Sequence, residues 1–190
     1  MRIKDEHKKH KIYMAAVKII NAEGLSGASM AKIAREAGLS AATIYLYFEH
    51  KEDMLNKLYI ASKHKMSLMM LQGFNQEMPI KVSFFLLWTN YYHFIAENFE
   101  DFIFIDQFAS SPLILKISRE EAKKPYQTMG EFVERAKKEN VIANLSFEVM
   151  YAFMFVPMAE LAKNAYKANT EIDQDTLASL FELSWKAISK

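Results

Sequence analysis

The chain has 190 residues, 51% of them apolar, and no cysteine, so it is long enough to bury a core but offers no disulfide and no thiolate metal site. The formal net charge of +1 conceals an asymmetry: residues 1–51 carry nine Lys/Arg against five Asp/Glu, and residues 52–190 carry 15 against 18. A basic head on a mildly acidic remainder suits an electrostatic nucleic-acid footprint at one end.

No apolar run reaches membrane-spanning length, and the opening MRIKDEHKKH holds no signal-peptide core, so a soluble cytoplasmic protein with no membrane partner is expected. Glycine and proline are scarce and apolar residues recur at helical spacing, which predicts an all-α fold of about nine helices. The first runs from about Lys8 to Glu23, with Ile12, Ala15, Ala16, Ile19 and Ile20 inward and Lys8, Lys9, Lys11 and Lys18 solvated; Gly24 ends it. Ser29 caps a second helix whose inward face is Met30, Ile33, Ala34 and Ala37, Gly38 makes a turn, and Ser40 caps a third over Ala41–Phe48.

A fourth helix opens at Lys51 and runs to about Leu71, with Glu52 and Asp53 in the first turn, where the helix dipole favours acids. Further helices are expected over about Ile80–Glu97, Asp101–Ala109, Ser118–Glu139, Ser146–Lys167 and Asp173–Ser189. Pro157 removes a backbone donor inside the eighth and should kink it. The expected organisation is a helix-turn-helix domain over residues 1–51 and a larger helical domain over 52–190.

The second and third helices carry the chemistry. On a wheel of 3.6 residues per turn, Ile44 and Phe48 share the inward face of the third helix, flanked by Ala41 and Tyr45. Ala42, Thr43 and Leu46 point the other way, with Tyr47 on the border. The outward face is small at its N-terminal end, so the backbone can approach base edges in a major groove, as a recognition helix does. Thr43 and Tyr47 offer hydroxyls to phosphate, and Lys51 adds an ammonium beside the N–H groups at the start of a helix. Ala42 and Leu46 can meet thymine methyls but cannot hydrogen-bond a base. With no Arg, Asn or Gln on this face, shape readout should take a larger share.

The segment from about Lys9 to Leu58 resembles the N-terminal domain of the TetR (tetracycline-repressor-like) family of transcription regulators. The resemblance rests on the A-x-x-I-I-x-x-x-G run at Ala16–Gly24, on SMAKIAREAGLS at Ser29–Ser40, and on TIYLYFEHKEDML at Thr43–Leu55. It implies that Ser29, Thr43, Tyr47 and Lys51 contact phosphate, while Ala41, Ala42, Tyr45 and Leu46 contact or flank bases of a double-stranded operator. Three positions depart from the family pattern: Ala42 replaces a common glycine, Ala31 stands where some members place a base-reading arginine, and His50 replaces a common serine cap.

Ten of the 25 aromatic residues fall within residues 84–108, and the helix over Ile80–Glu97 is apolar almost all round, with Thr89, Asn90, Tyr92 and His93 interspersed. This is either a rich core or an aromatic-walled space with a few placed polar groups. The resemblance implies a small-molecule effector cavity here, for which Trp88, Tyr92, Phe104, Gln107, Tyr126, Met129 and Met154 are the candidate lining residues. Twelve methionines suit walls that adapt to a lipophilic or aromatic effector. The last two predicted helices bear broad apolar stripes, Phe147–Leu161 and Leu177–Ile188, that can close their own core or pair with a second copy. The resemblance favours the second, a homodimer reading a palindrome with recognition helices roughly 34–36 Å apart.

The sequence holds no G-x-S-x-G, no H-E-x-x-H and no Gly-rich phosphate loop, so no enzyme and no cofactor is expected. His7 and His10, at i and i+3, are weak metal candidates, and no metal site is assigned. The rival to a regulator is a helical interaction scaffold with a non-functional head; repression is adopted because it is the commoner behaviour in the family resembled.

Overall fold

A computed structural model describes residues 2–112 and 126–190. Among these residues the fold is all-α; the one extended pairing is an isolated antiparallel bridge between Ile142 and Ser189. The helices are α1 (Arg2–Gly27), α2 (Met30–Glu36), α3 (Ala41–Tyr45), α4 (Lys51–Met70), α5 (Ile80–Glu97), α6 (Phe99–Ala109), α7 (Gln127–Lys138), α8 (Phe147–Met154), α9 (Val156–Ala168) and α10 (Gln174–Ile188). No helix among the described residues is long and apolar enough to cross a membrane.

Several boundaries correct the sequence reading. Helix α1 begins at Arg2 rather than Lys8, but its regular course does stop at Gly24, where φ is 74° and ψ 171°, a conformation a side chain would strain. The recognition helix ends at Tyr45, not Phe48: the N–H groups of Leu46 and Tyr47 reach back only three residues, to Thr43 and Ile44, tightening the chain into a turn. Helix α6 starts two residues before the expected Asp101. The polar helix is described over Gln127–Lys138, and the part expected from Ser118 to Pro125 lies outside the described residues.

The helix expected over Ser146–Lys167 is two helices, broken at Phe155. The cause is Pro157 in the first turn of α9: it has no N–H to return to the carbonyl of Phe153. The indole of Trp88 then donates to the carbonyl of Met154, beside the break, at 2.7 Å.

Packing gathers the described residues into two units. The first holds the residues up to Lys65 together with those from Phe99 to Pro112. Its core is the α1 stripe Ile12, Ala16 and Ile20, joined by Ile33 of α2, Ile44 of α3 and Leu55 of α4, all fully buried. Tyr59 of α4 stacks on Phe108 of α6 with ring centroids 4.4 Å apart. Helix α6 is also tied to α1 by polar contacts: Tyr13 donates to Asp101, and Asn21 to the backbone and carboxylate of Glu100. Packing thus assigns α6 and most of α4 to the unit that holds the helix-turn-helix, a partition distinct from the functional division expected at residue 51.

The second unit, Met66–Asn98 with Tyr126–Lys190, is built on α5. Phe84 packs on Phe132 of α7 and Trp185 of α10, with centroids 4.9 and 5.5 Å away, and Trp88 meets Phe181 edge-on at 5.7 Å. Asn90 is committed to structure: its amide donates to the carbonyls of Met70 and Gln72, satisfying acceptors left open where α4 ends. Arg135 of α7 likewise reaches the carbonyls of Gln76 and Met78 ahead of α5.

Candidate nucleic-acid interface

Both serines predicted as caps act as caps. Ser29 Oγ accepts the N–H of Lys32, and Ser40 Oγ accepts the N–H of Thr43, each at 3.2 Å. A cap of this kind contributes about 1 kcal/mol, enough to matter for helices of seven and five residues. Gly38, with φ at 67°, makes the turn between them. Ser40 and Thr43 also share a 2.8 Å hydroxyl contact, which fixes the Thr43 rotamer at the head of α3.

Ile44 and Phe48 are buried as the wheel predicts. The rest of α3 and the turn after it lie toward solvent: Ala41 and Ala42 are exposed, Thr43 and Tyr47 are half-buried, and Tyr45 and Leu46 are 57% and 80% exposed. Tyr45 therefore leaves the flank of the packed face and joins Leu46. An exposed leucine alone is ordinary; an exposed Leu–Tyr pair beside two alanines on a capped, anchored helix is a contact surface with a small leading edge. Lys51 is half-buried at the first position of α4.

The join between α3 and α4 shows how His50 takes a serine's place. Its Nδ1 accepts the N–H of Asp53 at 3.1 Å, an N-cap bond made by an imidazole. Asp53 reaches back to the N–H of Glu49 at 3.0 Å and forward to Lys57 at 2.8 Å. Partial burial works against the Asp53 carboxylate, but the Lys57 ammonium and the Glu49 N–H outweigh it and hold the group below the ordinary aspartate range. This reciprocal cap sets where α4, and with it Lys51, begins.

The residues expected to line an effector cavity divide between the units. Phe104 and Gln107 lie on α6 in the first, the former fully buried and the latter half-buried. Trp88, Tyr92, Tyr126, Met129 and Met154 lie in the second. Trp88, Met129 and Met154 are buried, and the first and last are joined by the indole hydrogen bond; Tyr92 and Tyr126 are half-buried. Of the other polar groups interspersed on α5, Asn90 caps α4 and His93 is exposed.

The stripe on α10 closes its own core, with Phe181, Ser184, Trp185 and Ile188 buried. Apolar surface is uncovered on α8 and the break after it, where Phe147, Val149, Tyr151, Phe153 and Val156 are all exposed while Met150 and Met154 on the other side are buried, and also at Leu183 of α10 and at Val82 and Phe85 of α5. Sequence reasoning missed the ties of Tyr13 and Asn21 to α6, whose partners lie 88 and 79 residues away and leave no periodic signal.

These observations define a helix-turn-helix protein with a presented contact helix. Residues 12–58 match the family model of bacterial regulatory proteins of the tetR family, and residues 79–189 match that of the tetracyclin repressor-like C-terminal domain. The chain belongs to the TetR family, and its N-terminal domain is the family's DNA-binding domain. It is 27% identical over 183 residues, 94% of each chain, to an uncharacterised HTH-type transcriptional regulator of Haemophilus influenzae. Its fold is shared over the full length of both chains, with a TM-score of 0.90 and 24% identity, by a TetR family transcription regulator from Marinobacter aquaeolei. The fold is shared as well with the transcriptional regulator FadR of Bacillus subtilis, solved in complex with stearoyl-CoA, at a TM-score of 0.71 and 22% identity over 94% of this chain and 98% of that one.

Proposed function

We propose that the protein is a ligand-responsive repressor that binds a palindromic double-stranded operator as a homodimer and releases it when a small lipophilic or aromatic effector binds. Residues 1–51 contact DNA and residues 52–190 provide the effector site and the dimer interface. The observation that carries the reading is α3 with the turn after it: capped by Ser40, anchored by buried Ile44 and Phe48, with Tyr45 and Leu46 presented to solvent. Ser29, Thr43, Tyr47 and Lys51 hold phosphates, while Ala41, Ala42, Tyr45 and Leu46 meet or flank bases, Leu46 and Ala42 through thymine methyls.

The homodimer forms through the last two predicted helices, and the apolar surface of α8 supports this, since a second copy would cover Phe147, Tyr151 and Phe153. The effector site lies in the second unit and draws on Trp88, Tyr92, Tyr126, Met129 and Met154. A lipophilic effector is supported by the aromatic and methionine content of these residues and by the acyl-CoA held by the FadR relative. Effector binding shifts α4, whose first residue is Lys51, and moves the recognition helices off groove spacing.

An effector acts this way only through higher affinity for the state that does not bind DNA. The test is reciprocity: once an effector is found by screening for operator release, saturating DNA must weaken effector affinity by the same factor that effector weakens DNA affinity. Unequal factors would sink the linkage.

A further inference from the structure

Three helices of the first unit meet at one buried carboxylate. Asp101, 6% exposed in the first turn of α6, accepts from Tyr13 of α1 at 2.7 Å on Oδ1 and from Lys65 of α4 at 2.6 Å on Oδ2. Tyr13 Oη also lies 2.8 Å from Ser62 Oγ, which is 2.9 Å from the carbonyl of Leu58. The protons assign the directions. An ionised carboxylate only accepts, so the one Tyr13 proton goes to Asp101, and the one Ser62 proton is shared between Tyr13 Oη and Leu58. Burial, and then the neighbouring carboxylate, push the Tyr13 phenol above its ordinary value, so it stays a donor. A second tie lies further along α1, where Asn21 donates to the backbone oxygen and the carboxylate of Glu100 at 2.9 and 2.5 Å.

Helix α6 falls inside the match to the family's C-terminal domain, residues 79–189, yet packs as part of the unit that carries the helix-turn-helix. We propose that the Tyr13–Asp101–Lys65 cluster is a latch that fastens α6 to α1 and α4 and thereby fixes the orientation of the helix-turn-helix relative to α6. Tyr13 and Asp101 are positioning residues and contact no DNA. A latched head is pre-organised for a two-site operator. An unlatched head samples more orientations and must be ordered when both recognition helices engage, so operator affinity falls. Binding to random DNA, which needs no fixed spacing of two heads, is spared. The buried carboxylate gives the latch its specificity, because its two oxygens require two particular donors.

The proposal rests on the reading of the protein as a dimeric operator-binding regulator. Its test uses the full-length protein and an operator recovered by selection from random-sequence DNA. Tyr13→Phe and Asp101→Asn should each weaken operator binding about tenfold, and the double variant no further than the weaker single. Affinity for random-sequence DNA should be unchanged. Because the chain has no cysteine, Asn21→Cys with Glu100→Cys supplies a unique thiol pair across the α1–α6 contact. Linking the pair with a short bis-maleimide in the Asp101→Asn background should restore operator affinity toward wild type, a rescue that lost stability alone does not produce. If wild type binds its selected operator and the variants bind it equally well, or if the cross-link restores nothing, the latch is refuted. If wild type selects no operator, the failure belongs to the regulator reading itself.

Discussion

The indole N–H of Trp88 donates to the carbonyl oxygen of Met154 at 2.7 Å, joining the middle of α5 to the end of α8. The bond sits beside the break that Pro157 imposes, so a defect in one helix becomes an attachment point for another. Trp88→Phe would keep an aromatic ring there but leave the Met154 carbonyl buried without this donor. The expected cost is about 1–3 kcal/mol, read as a lower urea midpoint at unchanged slope. An unchanged midpoint would mean that the bond contributes nothing net.

Leu46, directly after the last residue of the recognition helix, is 80% exposed, and its removal should leave the fold alone. Leu46→Ala is expected to change stability by less than about 0.5 kcal/mol. It should, however, alter base preference at one or two A·T pairs of the operator, because the thymine-methyl contact is lost. Measuring affinities across a panel of single-base operator variants checks this, and an unaltered preference profile would contradict it.

On α8, Phe153 is 52% exposed and Phe147 51%, so a charge at either position disturbs little within one chain. Phe153→Glu should still give a folded, helical protein by circular dichroism. At micromolar concentration it should sediment as a monomer where the wild type sediments as a dimer, since an unpaired charge in a packed interface is strongly disfavoured. A dimeric Phe153→Glu variant would place the interface elsewhere.

Lys63 supplies a pH signature. Burial pushes its ammonium down to about 8 from 10.5, and the ring of Tyr59 lies 5.8 Å from its Nζ. The folded state therefore holds fewer protons than the unfolded chain between those values, and stability must rise with pH across that window. Lys63→Met should remove this rise and stabilise the protein most below pH 8. The check is a set of denaturant midpoints for both proteins across the same window; parallel profiles would contradict the assignment.

The parts of the fold legible in the sequence were those set by local rules. The stripe Ile12, Ala16 and Ile20, the serine caps at positions 29 and 40, and the positive φ of Gly24 and Gly38 each depend on a few neighbouring residues, and each is found in place. The break at Phe155 was half legible: Pro157 announced a kink, but the donation from Trp88 beside it needs a helix 66 residues away. His50 looked like a lost cap because serine is the usual residue there, yet an imidazole nitrogen accepts the same N–H. Asn90 left two explanations open, because a polar group on an apolar helix serves either a core or a pocket, and only the fold reveals the α4 carbonyls it satisfies. The union of α1 with α6 through Tyr13 and Asp101 was not legible, because a tyrosine and an aspartate 88 residues apart carry no mark of each other.

The most direct test of the central claim is the salt dependence of operator binding by wild type and by a Tyr47→Phe, Lys51→Ala double variant. Phosphate neutralisation predicts affinity falling steeply and log-linearly with salt for the wild type. The variant should bind more weakly at every salt concentration, with a slope reduced by about one per protomer for the lost lysine. Equal affinity and equal slope for the two proteins would contradict the claim that the start of α4 grips the phosphate backbone.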